Sequence, residues 1–325
     1  MSGRTVRRGA RSAPRGYELS PGRDFVGLVG QTPLIRLSRV IPIPPRVTLL
    51  AKAEWVNPGG SVKDRAAARM IQDGERAGQL TKDKMILDAT SGNTGIAYAC
   101  IAASRGYRLR LCVPANISPE RKMILAALGA EVIYTSAQEG SDGAIREARR
   151  VFDKSPARFF YPDQYGNDNN WKAHFDSTGP EIWEQTRGKV THLVATVGTG
   201  GTVMGTGRYL KSKNPAVRVI AVEPDSPFHG LEGMKHMATS IVPRIYDRSF
   251  PDETRFISTE ASHEAIRRTA RLEGFLIGLS SGAALAAAAE VVKALGPAGK
   301  KPAVIVTIFP DNADKYLTER FWKET

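Results

Sequence analysis

Lys63 stands in the run Asn57-Pro58-Gly59-Gly60-Ser61-Val62-Lys63-Asp64-Arg65. The apolar residues 47–53 before it read as a strand, and Ala66, Ala67, Ala68, Met70 and Ile71 after it read as a helix. The lysine is therefore expected at the mouth of a turn that opens a helix. An amine there loses part of its hydration, which lowers its pKa and frees it as a nucleophile. The plain alternative is a solvated lysine in a helix's first turn.

Three more glycine-rich turns bear on that choice. Thr90-Ser91-Gly92-Asn93-Thr94-Gly95 follows a short strand and opens a helix. Backbone N–H groups at a helix N-terminus, with small hydroxyl and amide side chains, suit a carboxylate. One capping residue would be enough to start the helix, and this turn offers more than one. Gly198-Thr199-Gly200-Gly201-Thr202 lies between an apolar strand and a helix. Such a loop cradles a phosphate on its N–H groups, its threonine hydroxyls and the helix dipole. Gly278-Leu279-Ser280-Ser281-Gly282 precedes an alanine-rich helix and can act as a cap or set a hydroxyl against a heterocycle nitrogen.

A dinucleotide site is the competing reading of the third turn, with Glu223 imitating the acidic residue after the next strand. Position 203 is Val, however, so G-x-G-x-x-G is not met from Gly198, and no G-K-[ST] ending follows. The loop suits one phosphate better than two. A lysine amine, a single-phosphate cup, a carboxylate cup and a neutral hydroxyl are the parts a pyridoxal phosphate enzyme uses. A neutral partner at the pyridine nitrogen weakens the electron sink and favours β-elimination over transamination.

Alternating elements must position these turns. Strands are expected over residues 85–87, 109–113, 131–135, 193–197, 217–222 and 303–308. Helices are expected over 95–104, 119–128, 142–153, 179–186, 203–212, 262–273 and 282–294. That order implies an α/β protein with mostly parallel sheets. Residues 159–170, rich in Tyr, Pro, Asp and Asn and without periodicity, read as a crossing between two α/β layers.

The 325 residues, 42% hydrophobic, suffice for a large core and more than one domain. No apolar run approaches the ~20 residues that span a bilayer. Cys100 and Cys112 read as packing residues and the five histidines show no ligand spacing, so a metal-free, cytoplasmic protein is expected. Part of the net charge of +13 comes from Arg4, Arg7, Arg8, Arg11 and Arg15. The first sixteen residues carry no acid, and the tail, residues 1–20, reads as disordered; organelle targeting and a weak polyanion contact are its other readings. The basic remainder suits anionic ligands, while no nucleic-acid module appears.

These motifs, together with Gln31-Thr32-Pro33-Leu34 and Thr178-Gly179-Pro180-Glu181-Ile182, occur in family order and resemble the cysteine synthase and cystathionine β-synthase family from about residue 27 to 316. The likeness is greatest to cysteine synthase B-like members. The resemblance implies a fold type II, tryptophan synthase β-like enzyme with two three-layer α/β/α domains. The smaller, mobile one would span 56–165, and the larger, phosphate-binding one 21–55 and 166–325. It implies Lys63 as Schiff-base lysine and proton-moving base. Asn93 would meet the cofactor's ring oxygen, Gly198, Thr199, Gly200, Gly201 and Thr202 its phosphate, and Ser280 its pyridine nitrogen. Thr90, Ser91, Gly92, Asn93 and Thr94 would hold the substrate carboxylate, with Gln164 closing over it and Gly233 beside the cleft. The implied reaction is β-replacement on O-acetylserine or O-phosphoserine by sulfide or another sulfur donor, giving L-cysteine through an aminoacrylate.

The chain departs from the family in places. It shows no C-terminal regulatory module and no Cys or His in its N-terminal tail for haem, which weakens a vertebrate-like cystathionine β-synthase reading. That synthase, a diaminopropionate-type synthase and a serine/threonine dehydratase remain enzyme alternatives. In Gly230-Leu231-Glu232-Gly233-Met234-Lys235-His236-Met237 a cation follows Gly233, so Lys235 is expected to contact an anionic substrate, against the alternative of a solvated surface lysine. Asp311 replaces part of a Ser-rich stretch and could approach the cofactor ring. A homodimer is implied. A serine acetyltransferase or a sulfur-carrier protein are the partner proteins considered. From another class, the chain could be a regulatory subunit that receives a partner's C-terminal tail in its cleft; intact Lys63 argues against a dead homologue.

Overall fold

The computed structural model describes residues 23–90, 92–296 and 302–323. The expected tail 1–20 and Ser91 lie outside the described residues. The first half contains β1 (Leu34–Leu37), β2 (Val47–Ala53), α1 (Lys63–Arg76), β3 (Met85–Ala89), α2 (Asn93–Arg105), β4 (Arg108–Pro114), α3 (Pro119–Ala127), β5 (Glu131–Thr135), α4 (Gly140–Lys154) and β6 (Phe159–Phe160). The second half contains α5 (Asn169–Ala173), α6 (Gly179–Gln185), β7 (His192–Thr196), α7 (Gly201–Lys213), β8 (Arg218–Pro224), β9 (Glu253–Ile257), α8 (Thr259–Glu273), α9 (Leu279–Ala294) and β10 (Ala303–Phe309).

Two sheets result. The larger has the order β1-β2-β10-β7-β8-β9 and the smaller β5-β4-β3-β6. All pairings are parallel except β1 with β2. Side chains alternate between faces along each strand, and this splits the core cleanly. On the larger sheet Leu49, Ile305 and Phe309 face a cluster with α8 and α9, while Val306 and Ile308 face another that holds Val203, Met204 and Leu210 of α7. On the smaller sheet Ile86 and Leu111 face α1 and α2, while Leu87 and Cys112 face Ala144, Ile145 and Ala148 of α4. Each sheet is thus the middle layer of a helix–sheet–helix sandwich, as expected for this class of α/β protein.

Several boundaries differ from expectation in ways that matter. α2 begins at Asn93 rather than 95, and α9 at Leu279 rather than 282. Asn93, Thr94 and Ser280 therefore belong to first helical turns and not to loops. The aperiodic stretch 159–170 opens with the two-residue strand β6 on the edge of the smaller sheet and reaches into α5. Among the described residues no helix is long and apolar enough to cross a membrane, and no cluster of His, Cys, Asp or Glu could hold a metal ion.

Candidate active site

The four glycine-rich turns meet in one cleft. It encloses about 840 Å³ of atom-free space, part of it open to solvent, and its walls come from both sheets. Lys63, Thr90, Gly92, Asn93, Thr94 and Gln164 line the side of the smaller sheet. Gly198, Thr199, Gly200, Thr202, Gly233, Lys235 and Ser280 line the other. Gly201 stands behind this wall as the first residue of α7.

Lys63 is the first residue of α1; its backbone N–H donates to Ser61 Oγ at 3.2 Å, and among the described residues no hydrogen bond holds its side-chain amine. Burial pushes its pKa down; the carboxylate of Asp311 opposes this and the positive charge of Arg121 adds to it. A buried ionic network fixes the helix that carries it. Arg65 donates to both oxygens of Glu54, at 2.7 and 2.8 Å, and to both oxygens of Glu181 at the same distances. Lys52 pairs with Glu181 at 2.7 Å. Arg65 and its neighbours hold Glu54 ionised, with a pKa lowered to about 2 despite complete burial. The Gln31–Leu34 and Thr178–Ile182 motifs feed this network through Thr32, which donates to Glu54 at 2.7 Å, and through Glu181 itself. Their place is beneath the lysine, not in the cleft.

The phosphate-type loop is built by close approach. A side chain on Gly198 would put a Cβ 2.2 Å from the carbonyl oxygen of Gly233, and one on Gly201 would put it 1.9 Å from Asn170. Gly200 has φ +86°, a conformation open to glycine. The N-cap Gly200 has no side chain and the Gly201 amide donates to Thr199 Oγ1 at 3.4 Å, which leaves the amides of Thr202 and Val203 to an anion. His174 touches Thr202 at 3.4 Å and Thr178 at 2.9 Å; burial lowers its pKa to about 3 and keeps the ring neutral.

Across the cleft Thr94 donates to Gln164 Oε1 at 2.8 Å, and Gln164 Nε2 donates to the Ala89 carbonyl at 2.5 Å. Asn93 donates to Asp311 Oδ2 at 2.7 Å, while its own Oδ1 is buried without a partner. Asp311 is wholly buried; it also accepts from Tyr316 at 2.8 Å, and its backbone carbonyl accepts from Ser281 at 2.9 Å. Ser280 lies against the cleft, 7% exposed. The geometry thus brings Asp311 to Asn93 and leaves Ser280 facing the cavity.

Lys235 is not a solvated surface lysine. It is 4% exposed and donates to Asp142 of α4 at 2.5 Å. Burial lowers its pKa and Asp142 opposes the shift. Glu223, the residue that imitates a dinucleotide-site acid, is buried and accepts from the Met237 amide at 3.0 Å, so it braces residues 231–237 and has no ribose-binding freedom. Sequence reasoning missed Arg121, Glu232 and Tyr316. Arg121 and Glu232 line the cleft, and Tyr316 links Arg121 to Asp311.

The model of the pyridoxal-phosphate dependent enzyme family matches residues 26–311. A cysteine synthase from Aquifex aeolicus is 50% identical over 299 residues, 91% of this chain and 91% of its own. A cysteine synthase B from Pseudomonas aeruginosa is 42% identical, covering 89% of this chain and 94% of that one. The crystal structure of a cysteine synthase from Entamoeba histolytica is similar with a TM-score of 0.87 at 34% identity, covering 98% and 95% of the two chains. The chain belongs to the pyridoxal-phosphate dependent enzymes and, within them, to the cysteine synthase and cystathionine β-synthase family. Its cofactor is pyridoxal phosphate. The site fits that cofactor: a buried lysine amine and a helix N-terminus with open amides border one cavity.

Proposed function

We propose that the chain is a cysteine synthase that replaces the leaving group of an activated L-serine, O-acetylserine or O-phosphoserine, with sulfide or another sulfur donor. The observation that carries this reading is the convergence of Lys63, the Thr90–Gly95 turn and the N-terminus of α7 on a single cleft, beside the 50% identity to a cysteine synthase.

In this reading Lys63 binds the cofactor, Asn93 meets its ring oxygen, Gly198 to Thr202 hold its phosphate and Ser280 meets its pyridine nitrogen. When bound, the cofactor supplies an electron sink for charge that develops at the substrate's Cα. Lys63 takes the proton from that Cα; burial lowers its pKa and so raises the share of neutral amine able to accept it. Thr90, Ser91, Gly92, Asn93 and Thr94 hold the substrate carboxylate in this reading, and Gln164 closes over it. Gly233 leaves open space beside the cleft, where no atom lies within 4 Å of the position a side chain would take. The unit of residues 56–165 is the body that moves to cover the site, the remainder being the phosphate-binding body. A soluble cytoplasmic homodimer completes the proposal, with its partners limited to small substrates unless a serine acetyltransferase or sulfur-carrier protein docks at the cleft.

Absorbance of the purified holoenzyme tests the reading. A violet-region band is expected that Lys63→Ala abolishes, that one or both serine esters change, and that sulfide then restores with release of cysteine. A protein that stays colourless with added pyridoxal phosphate overturns it.

A further inference from the structure

We propose that Arg121 is a receptor for the α-carboxylate of the amino-acid substrate and that Glu232 is its built-in competitor. The inference rests on the β-replacement reading and adds a residue pair to its substrate site. Arg121 lies in the first turn of α3, only 2% exposed, and lines the cleft. Its guanidinium is clamped: the carbon lies 4.7 Å from the Tyr316 ring centroid, and Nη2 donates to the Tyr316 hydroxyl at 2.6 Å. Among the described residues its Nε and Nη1 are buried without a hydrogen-bond acceptor, Nη1 being met by an ion pair alone. The Nε edge lies against the carboxylate turn, since a Cβ on Gly92 would come within 2.6 Å of Nε.

Glu232 reaches the same guanidinium from the opposite wall, pairing with Nη1 from the segment that also carries Gly233. Its side chain is 28% exposed, so it can move into water at the cleft's edge, whereas the arginine cannot. A buried guanidinium is costly without an anion, and it prefers a carboxylate that can take two of its N–H groups. The substrate brings the same functional group that Glu232 already supplies. The two carboxylates lie on different edges of one guanidinium and repel each other there, so the internal one sets a threshold for the external one.

The holoenzymes of wild type and Glu232→Gln are titrated with L-alanine, which has the carboxylate but no leaving group, and with L-alaninamide, which lacks the charge. Binding is followed by the cofactor's absorbance. Removal of the competitor is expected to tighten L-alanine about fivefold, a change near 1 kcal/mol, and to leave L-alaninamide where it was. Arg121→Lys, which keeps the charge but not the fork, weakens L-alanine selectively. An unchanged or weaker L-alanine constant in Glu232→Gln, or equal tightening of both ligands, overturns the proposal. A wild-type band that responds to no amino acid strikes the β-replacement reading instead, and this inference with it.

Discussion

The side-chain amide of Asn93 is held by Asp311, at 2.7 Å, across a sequence separation of 218 residues. The bond ties the first turn of α2 to the segment after β10 and turns the Asn93 amide oxygen away from the carboxylate. It also puts a negative charge beside Lys63, where it opposes the fall in the lysine's pKa. Asp311→Asn should preserve the shape and remove the charge. The lysine's pKa then drops further, so cofactor capture by the apoprotein should proceed at lower pH than in wild type. Rates of band formation across a pH series check this; a midpoint that stays put, or rises, refutes it.

Gly198 lets the phosphate-type loop pass under the Gly233 carbonyl, with only 2.2 Å left for a Cβ. The obstacle is backbone, so it cannot swing aside. Gly198→Ala should push residues 231–237 off the loop at a cost of roughly 1–3 kcal/mol. Cofactor affinity should fall at least about tenfold, and thermal melts and cofactor titration read both effects.

Asp88 is completely buried at the end of β3 and accepts from Tyr98 at 2.8 Å and from the Gln164 amide at 3.2 Å. Burial raises its pKa to about 7, against the pull of these hydrogen bonds. Between its ordinary value and about 7 the folded protein holds a proton that the unfolded chain has released, so stability falls as pH rises through that window. Asp88→Asn carries no such dependence. Relative to wild type it should gain stability from pH 5 to 7, on the order of 1 kcal/mol per pH unit. Denaturant unfolding of both proteins at each pH measures the difference, and parallel pH curves would count against it.

Lys235 is bound to Asp142 at 2.5 Å, and Asp142 also accepts from the Ile241 amide at 2.8 Å. In the proposed role an anionic leaving group shares or takes that ammonium. Lys235→Ala should therefore raise the KM for O-phosphoserine far more than for O-acetylserine. Asp142→Asn, which frees the cation, should shift the ratio of kcat/KM values toward O-phosphoserine by several-fold. Equal effects on the two esters in both variants would remove Lys235 from substrate recognition.

What the sequence reveals of this site is what is local in it. Lys63 and the four turns announce themselves because glycines and small hydroxyls cluster where a strand hands over to a helix. Arg121, Glu232 and Tyr316 carry no such mark. They are ordinary polar residues from separate segments, and only the packing of the two sheets brings them together. Lys235 illustrates the limit: its partner Asp142 lies 93 residues earlier, so the run around the lysine gives no sign that it is buried and paired. The strands that escaped notice are edges. β1 and β9 border the larger sheet and are only part-buried, and β6 has two residues, so none shows a clear apolar alternation.

Because β10 is inserted between β2 and β7, the larger sheet joins residues near both ends of the described chain, Val47 against Ala303. The smaller sheet needs only residues between Met85 and Phe160. During synthesis, contacts close in sequence form before distant ones. Lys63 and the Thr90–Gly95 turn therefore leave the ribosome long before the strand that completes the wall opposite them. Any C-terminal truncation that removes β10 should leave a chain with a foldable smaller sheet, an open edge on β2 and no place for the cofactor. Added pyridoxal phosphate would then fail to protect such a nascent fragment, and it would begin to stabilise the protein only once the last strand is in.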